Sequence, residues 1–197
     1  HSNTAVGYEA MQSNTTADYS VGIGIQALKT EATSGSNVAV GALSMMTSNG
    51  AANNVAVGKQ TGYLHTTGDK NAWVGSNSGF NSTTSSNNAG LGYTSLYSCT
   101  TGSELVGIGP QTLYSATTAV SCIAIGDRAF YTLVDSPYNV AIGYAALSLN
   151  TTGTANTIIG GLAGDAITTG SSNTSLGYLS LSACTTADDN TAIGAGA

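Results

Sequence analysis

The sequence predicts an all-β chain: a parallel β-solenoid of twelve 17-residue coils, one repeat array over residues 1–197. Three observations carry this reading. Glycine recurs at 7, 24, 41, 58, 75, 92, 109, 126, 143, 160, 177 and 194, every interval being 17. The residue before it is always Val, Ile or Leu, as in Asn37-Val38-Ala39-Val40-Gly41 and Asn139-Val140-Ala141-Ile142-Gly143. Charge is sparse, with 4 Lys or Arg against 10 Asp or Glu, or 7%, where a soluble domain carries about 25%. A constant period without slippage means that each unit stacks on its neighbours in one register. A charge repeated in that register faces its own kind about 4.8 Å away at every rung. Asn, Thr and Ser stack without that cost.

We number each unit from position 1 at Asn3 to position 17 at Tyr19, which puts the recurring glycine at position 5. Seventeen residues are too few for a helix-turn-helix repeat, and Gly among β-branched residues opposes helix. Positions 1 to 5 read as a short strand with 2 and 4 on one face. Position 8 is always Ala, Ser or Thr, and positions 8 to 11 read as a second short strand. The Asn/Thr/Gly-rich remainder supplies turns. Stacked at about 4.8 Å per step, the array makes a rod on the order of 50 Å long.

Position 3 is mostly Ala or Gly, as in Ala5, Gly22, Ala39, Ala56, Gly90 and Gly107. Together with Gly at position 5, this second strand face has little bulk and permits close approach. Strands apolar on both faces are buried on both. The expectation is that positions 2 and 4 line the core. The small face then packs against further copies of the chain, most simply about a three-fold axis. The alternative places the small residues in tight bends of a monomer.

Composition excludes several classes. A net charge of −6 opposes nucleic-acid binding, which needs a basic stripe. No run reaches the roughly 18 apolar residues of a membrane span, so no membrane insertion is expected in this segment. His1-Ser2-Asn3 offers neither region of a signal peptide. At 41% hydrophobic the chain should fold rather than stay disordered. Neither end carries the atypical capping unit that solenoids need, so the array reads as a segment of a longer fibre, or as a unit stacking end to end.

The recurring Asn-Thr-Ala-Val-Gly-x-x-Ala-Leu unit resembles the YadA-like head repeats of trimeric autotransporter adhesins. The fuller form, Asn139 to Leu147 followed by Asn150-Thr151-Thr152-Gly153, is similar to repeats of bacteriophage tail-fibre proteins. The adhesin repeats are shorter than 17 residues, a difference from this chain. The resemblance implies a left-handed β-roll, a homotrimer, and a fibre mediating attachment to a host surface. It also implies a glycan or protein receptor and a location on a virion or an extracellular bacterial cell surface.

One candidate site stands out. Position 10 holds an aromatic in five consecutive coils: Tyr63, Phe80, Tyr97, Tyr114 and Tyr131. Stacked rings could form a platform for sugar, making the chain a glycan-binding module. They could equally stabilise the edge or a subunit interface, at about 0.5–1.5 kcal/mol per pair. Glycine replaces position 9 just before Tyr63 and Phe80, at Gly62 and Gly79, as though each ring turns over an emptied slot. Trp73, at the small position 3, reads as a local plug.

Other features carry less. The Thr columns at positions 13 and 14 invite an ice-binding solenoid. Adjacent residues such as Thr66-Thr67 and Thr83-Thr84 would point to opposite faces of a strand, and Thr bonding to local backbone is the better reading. Position 1 is Asn in 9 of 12 copies and is expected to form an amide ladder along the rod. Cys99 and Cys184 share a column five coils apart, too far for a disulfide. Unpaired thiols suit assembly in a reducing cytoplasm, as for a virion component. His65, at position 12 with Asn14, Glu31 and Asn150, reads as part of a solvated turn. No carboxylate pair arises by stacking, so no catalytic residue, metal ligand or cofactor is assigned.

Overall fold

In the computed structural model, which describes residues 2–197, twelve three-residue strands run from β1 (Thr4–Val6) to β12 (Thr191–Ile193). They form one parallel sheet in strict sequence order. Pairing is in register at the repeat period, as with Val38 on Val55, Ala39 on Ala56 and Val40 on Val57. The chain is a parallel β-solenoid whose units are the repeat itself.

The expected second strand at positions 8 to 11 is not there. That segment is a run of turns; position 9 within it and position 7 just before it have positive φ, as at Leu28 (50°) and Gln26 (56°). Position 17 does the same, as at Ser36 (61°). The inversions alternate the backbone's direction. The Gln26 N–H donates back to the Tyr8 carbonyl (2.8 Å), whereas the Leu28 N–H donates forward to the Ser44 carbonyl (3.1 Å). Turns here bond from coil to coil as strands do, which satisfies backbone groups that a buried loop would orphan. Left-handed φ costs about 1–2 kcal/mol at a non-glycine residue. The inter-coil bonds hold the chain there regardless.

The faces of the strand are also reversed from expectation. Position 3 points into the coil: Ala39, Ala56, Ala124, Ala141 and Ile158 are fully buried. The Val, Ile and Leu of positions 2 and 4 lie outside, with Leu91 43% and Leu176 49% exposed. The reason is space. Position 9 projects Leu28, Met45, Leu96, Leu113, Phe130 and Leu147 into the same interior, all buried, and opposite them only Ala or Gly fits.

Position 12 is likewise interior, not a solvated turn. Glu31, Ser48, His65, Ser82, Ala116, Leu133, Asn150 and Ile167 are all at 0% exposure. The position-12 N–H closes a turn on the position-9 carbonyl, as His65 does on Gly62 (3.0 Å). With position 9 in the left-handed region, that turn aims position 12 inward.

Candidate functional site

The five position-10 aromatics come together as one stack. Ring centroids are separated by 5.1 Å for Tyr63–Phe80, 5.2 Å for Phe80–Tyr97, and 5.1 Å for both Tyr97–Tyr114 and Tyr114–Tyr131. The planes are near parallel, at 5° between Tyr97 and Tyr114. The rings are half-buried, which leaves an edge of the stack to solvent. Desolvation first, and then the neighbouring phenols Tyr97, Tyr131 and Tyr93, raise the Tyr114 pKa above its ordinary value.

The slot emptied by Gly62 and Gly79 is filled by Trp73, not by the ladder rings. Trp73 is 1% exposed, and a Cβ on Gly62 would lie 3.0 Å from its Cζ3. It plugs the core, edge-on to His65 at 4.9 Å between centroids.

The ladder ends abruptly. After Tyr131 the next position-10 residue is Ser148, and the missing ring leaves a cavity of about 340 Å³ lined by Arg128, Tyr131, Tyr144, Ala145, Ser148 and Leu149. Arg128 and Tyr131 belong to one coil and the other four to the next. The Arg128 Nε donates to Gln111 Oε1 (3.1 Å) and lies 4.0 Å from Asp127 Oδ1. Sequence reasoning found the ladder but missed this site. The signal was present in the change from Tyr131 to Ser148 and from Arg128 to Ala145 at one coil boundary.

Polar groups inside the coil are paired into internal ladders. Asn54 Nδ2 donates to the Gly68 carbonyl of its own coil (2.9 Å), while its Oδ1 accepts from the N–H (2.9 Å) and Nδ2 (3.0 Å) of Asn71. The expected amide ladder is therefore present, and it also clamps each coil shut. Asn is replaced at Ser20, Leu105 and Cys122; at the last, the Cys122 thiol donates to the Ser136 carbonyl instead (3.0 Å). Cys99, Cys122 and Cys184 are all unpaired. Burial pushes the Cys99 thiol up to about 11.

His65 Nε2 contacts the Gly68 carbonyl at 2.7 Å, so this nitrogen carries the proton. Nδ1 then accepts from the Ser82 hydroxyl at 3.0 Å, and Ser85 donates to Ser82 at 2.6 Å. Burial lowers the His65 pKa below its usual value. Glu31 stands where position 1 is the short Ser20 instead of Asn. Its Oε1 accepts from Ser20 Oγ (3.4 Å) and Asn37 Nδ2, while Oε2 is buried without a partner. Burial raises its pKa to about 7.

The threonines of position 13 are similarly committed. The hydroxyls of Thr66, Thr83 and Thr100 donate to the position-13 carbonyls of the next coil (2.8, 3.0 and 3.1 Å). That removes one of the two columns that an ice-binding face would use. Among the described residues no helix is long and apolar enough to cross a membrane. Compared with protein-family models, curated proteins and solved structures, the chain matches none.

Proposed function

We propose that the chain forms the shaft of a homotrimeric attachment fibre, a left-handed β-roll carried on a virion or an extracellular bacterial surface. The observation that carries this is the outer strand face. Val6, Ile23, Val74, Leu91, Ile108, Leu176 and Ile193 are exposed in a position-4 column that is Val, Ile or Leu from end to end of the rod, and Val55 and Ile123 are exposed beside it at position 2. A contiguous apolar surface of that length marks an interface. Its partner must repeat at the same spacing over the same length, and the simplest such partner is a further copy of the chain. Three flat faces around one axis bury all of them equally.

The role is mechanical and non-catalytic. Backbone bonds between coils, the amide ladder and the ring stack all run along one direction and resist bending, so the shaft holds a receptor-binding element away from the particle. Sedimentation equilibrium tests the assembly. The expected mass is three chains, falling to one for Ile108→Asp. A monomeric wild type at micromolar concentration overturns the proposal.

A further inference from the structure

The end of the aromatic ladder has the makings of a ligand shelf. Tyr131 stacks on Tyr114 through one ring face at 5.1 Å, and beyond its other face stands Ser148 in place of a sixth ring. Position 7 shrinks at the same boundary, from Arg128 to Ala145. Arg128 and Tyr131 therefore make a floor from one coil, and Tyr144 and Leu149 make walls from the next. The cavity of about 340 Å³ lies at the small end of ligand pockets, enough for one ring.

We infer that this shelf binds a pyranose ring bearing a carboxylate, stacked on Tyr131 where the ladder's next ring would stand, with its anionic group on Arg128. The aromatic floor matches the C–H face of a sugar. Arg128 is the only arginine in the chain, and with Nε held by Gln111 its terminal nitrogens remain to engage a carboxylate through paired hydrogen bonds. Ser148 and Tyr144, which also line the cavity, carry hydroxyls that can bond to a sugar's rim. A flat apolar ring in the same place would engage none of these three polar groups and forgo their hydrogen bonds. The shelf is built by the turn segments of two consecutive coils of one chain, so binding does not depend on the oligomeric state proposed above, and the two ideas fail separately.

Ligand-observed NMR with methyl β-glucuronide and methyl β-glucoside tests this on the full chain. Saturable glucuronide binding is expected, with the glucoside weaker by about tenfold, the worth of one charged hydrogen-bond pair. Arg128→Gln should remove that difference. Ser148→Tyr continues the ladder into the cavity and should abolish binding of both sugars, with circular dichroism checking the fold. Tyr131→Leu should do the same if Ser148→Tyr does not fold, and Tyr97→Leu in mid-ladder should leave binding intact. The proposal is overturned by no glucuronide binding to the wild type, by equal binding of the two sugars, or by wild-type binding in a folded Ser148→Tyr or Tyr131→Leu protein.

Discussion

The indole of Trp73 occupies the space that a side chain at Gly79 would need: a Cβ there would lie 2.6 Å from the indole Nε1. The two residues share one coil, at positions 3 and 9. The same trade recurs at Ile158 and Gly164, where a Cβ on the glycine would meet Ile158 Cγ2 at 3.3 Å. In the other coils with both positions, a small residue at 3 faces Leu, Met or Phe at 9, except where Gly62 makes further room for Trp73.

This trade predicts strong coupling. Trp73→Ala should cost about 3–5 kcal/mol through its cavity, and Gly79→Leu alone should cost about 1–3 kcal/mol by overpacking. The double variant gives the coil the small-at-3, Leu-at-9 arrangement of Gly90 and Leu96 in the next coil and should cost at least about 1 kcal/mol less than the sum. Urea denaturation of the four proteins decides, and strict additivity would refute the trade.

Gly126 has φ of 122°, and a Cβ on it would lie 2.5 Å from the Gly143 carbonyl oxygen. Backbone meets backbone there, with no flexible side chain to yield. Gly126→Ala should destabilise by about 3–5 kcal/mol, measured by thermal melting; a shift of only a degree or two would mean that the coils can part at that corner.

Lys70 presents the opposite case. It is exposed with φ of 59°, a conformation glycine adopts at no steric cost. Lys70→Gly should raise stability by about 0.5–1 kcal/mol, the left-handed penalty outweighing glycine's entropy. The same change at Val55, in a strand, should lower it. Chemical denaturation of both variants gives the two signs.

Glu31 makes stability depend on pH. Its folded pKa of about 7 lies above the ordinary 4.5, so the folded state holds the proton more tightly. The stability it contributes is complete below pH 4.5 and is lost as pH rises through 7, on the order of 3 kcal/mol in all. His65, with its pKa lowered by burial, acts in the opposite direction, contributing stability that is lost as pH falls below its ordinary value. Comparing wild type with Glu31→Gln at each pH cancels that contribution. The variant should gain on the wild type steadily across the window, and parallel curves would sink the assignment.

The period, the parallel register, the amide ladder and the ring stack were all legible in the sequence, because each is a column of like residues and stacking turns a column into contact. The inside of the coil was not. Alternation at Val38-Ala39-Val40 tells which residues share a face but not which face is inner. That is settled by Met45 and its counterparts across the coil, which reach inward only because they adopt positive φ. Leu, Met and Phe give no hint of that conformation, which by residue type belongs to Gly and Asn. His65 and Glu31 misled for a related reason, since polar residues read as solvated until their internal partners are known. The ligand shelf escaped notice because it is made by an absence, the ring that Ser148 lacks.

The column of glycines packed carbonyl to Cα along the rod has one more consequence. An insertion of a single residue would lengthen one coil to 18 and force it to bulge or to unseat its glycine from the next, while replacing residues inside one coil leaves the spacing of 17 intact. Viable changes in length therefore come in whole coils of 17 residues, each adding about 4.8 Å. Such a rod is a ruler whose graduations are set by its own backbone, and it can grow or shrink by duplicating or dropping a unit without any other part being redesigned.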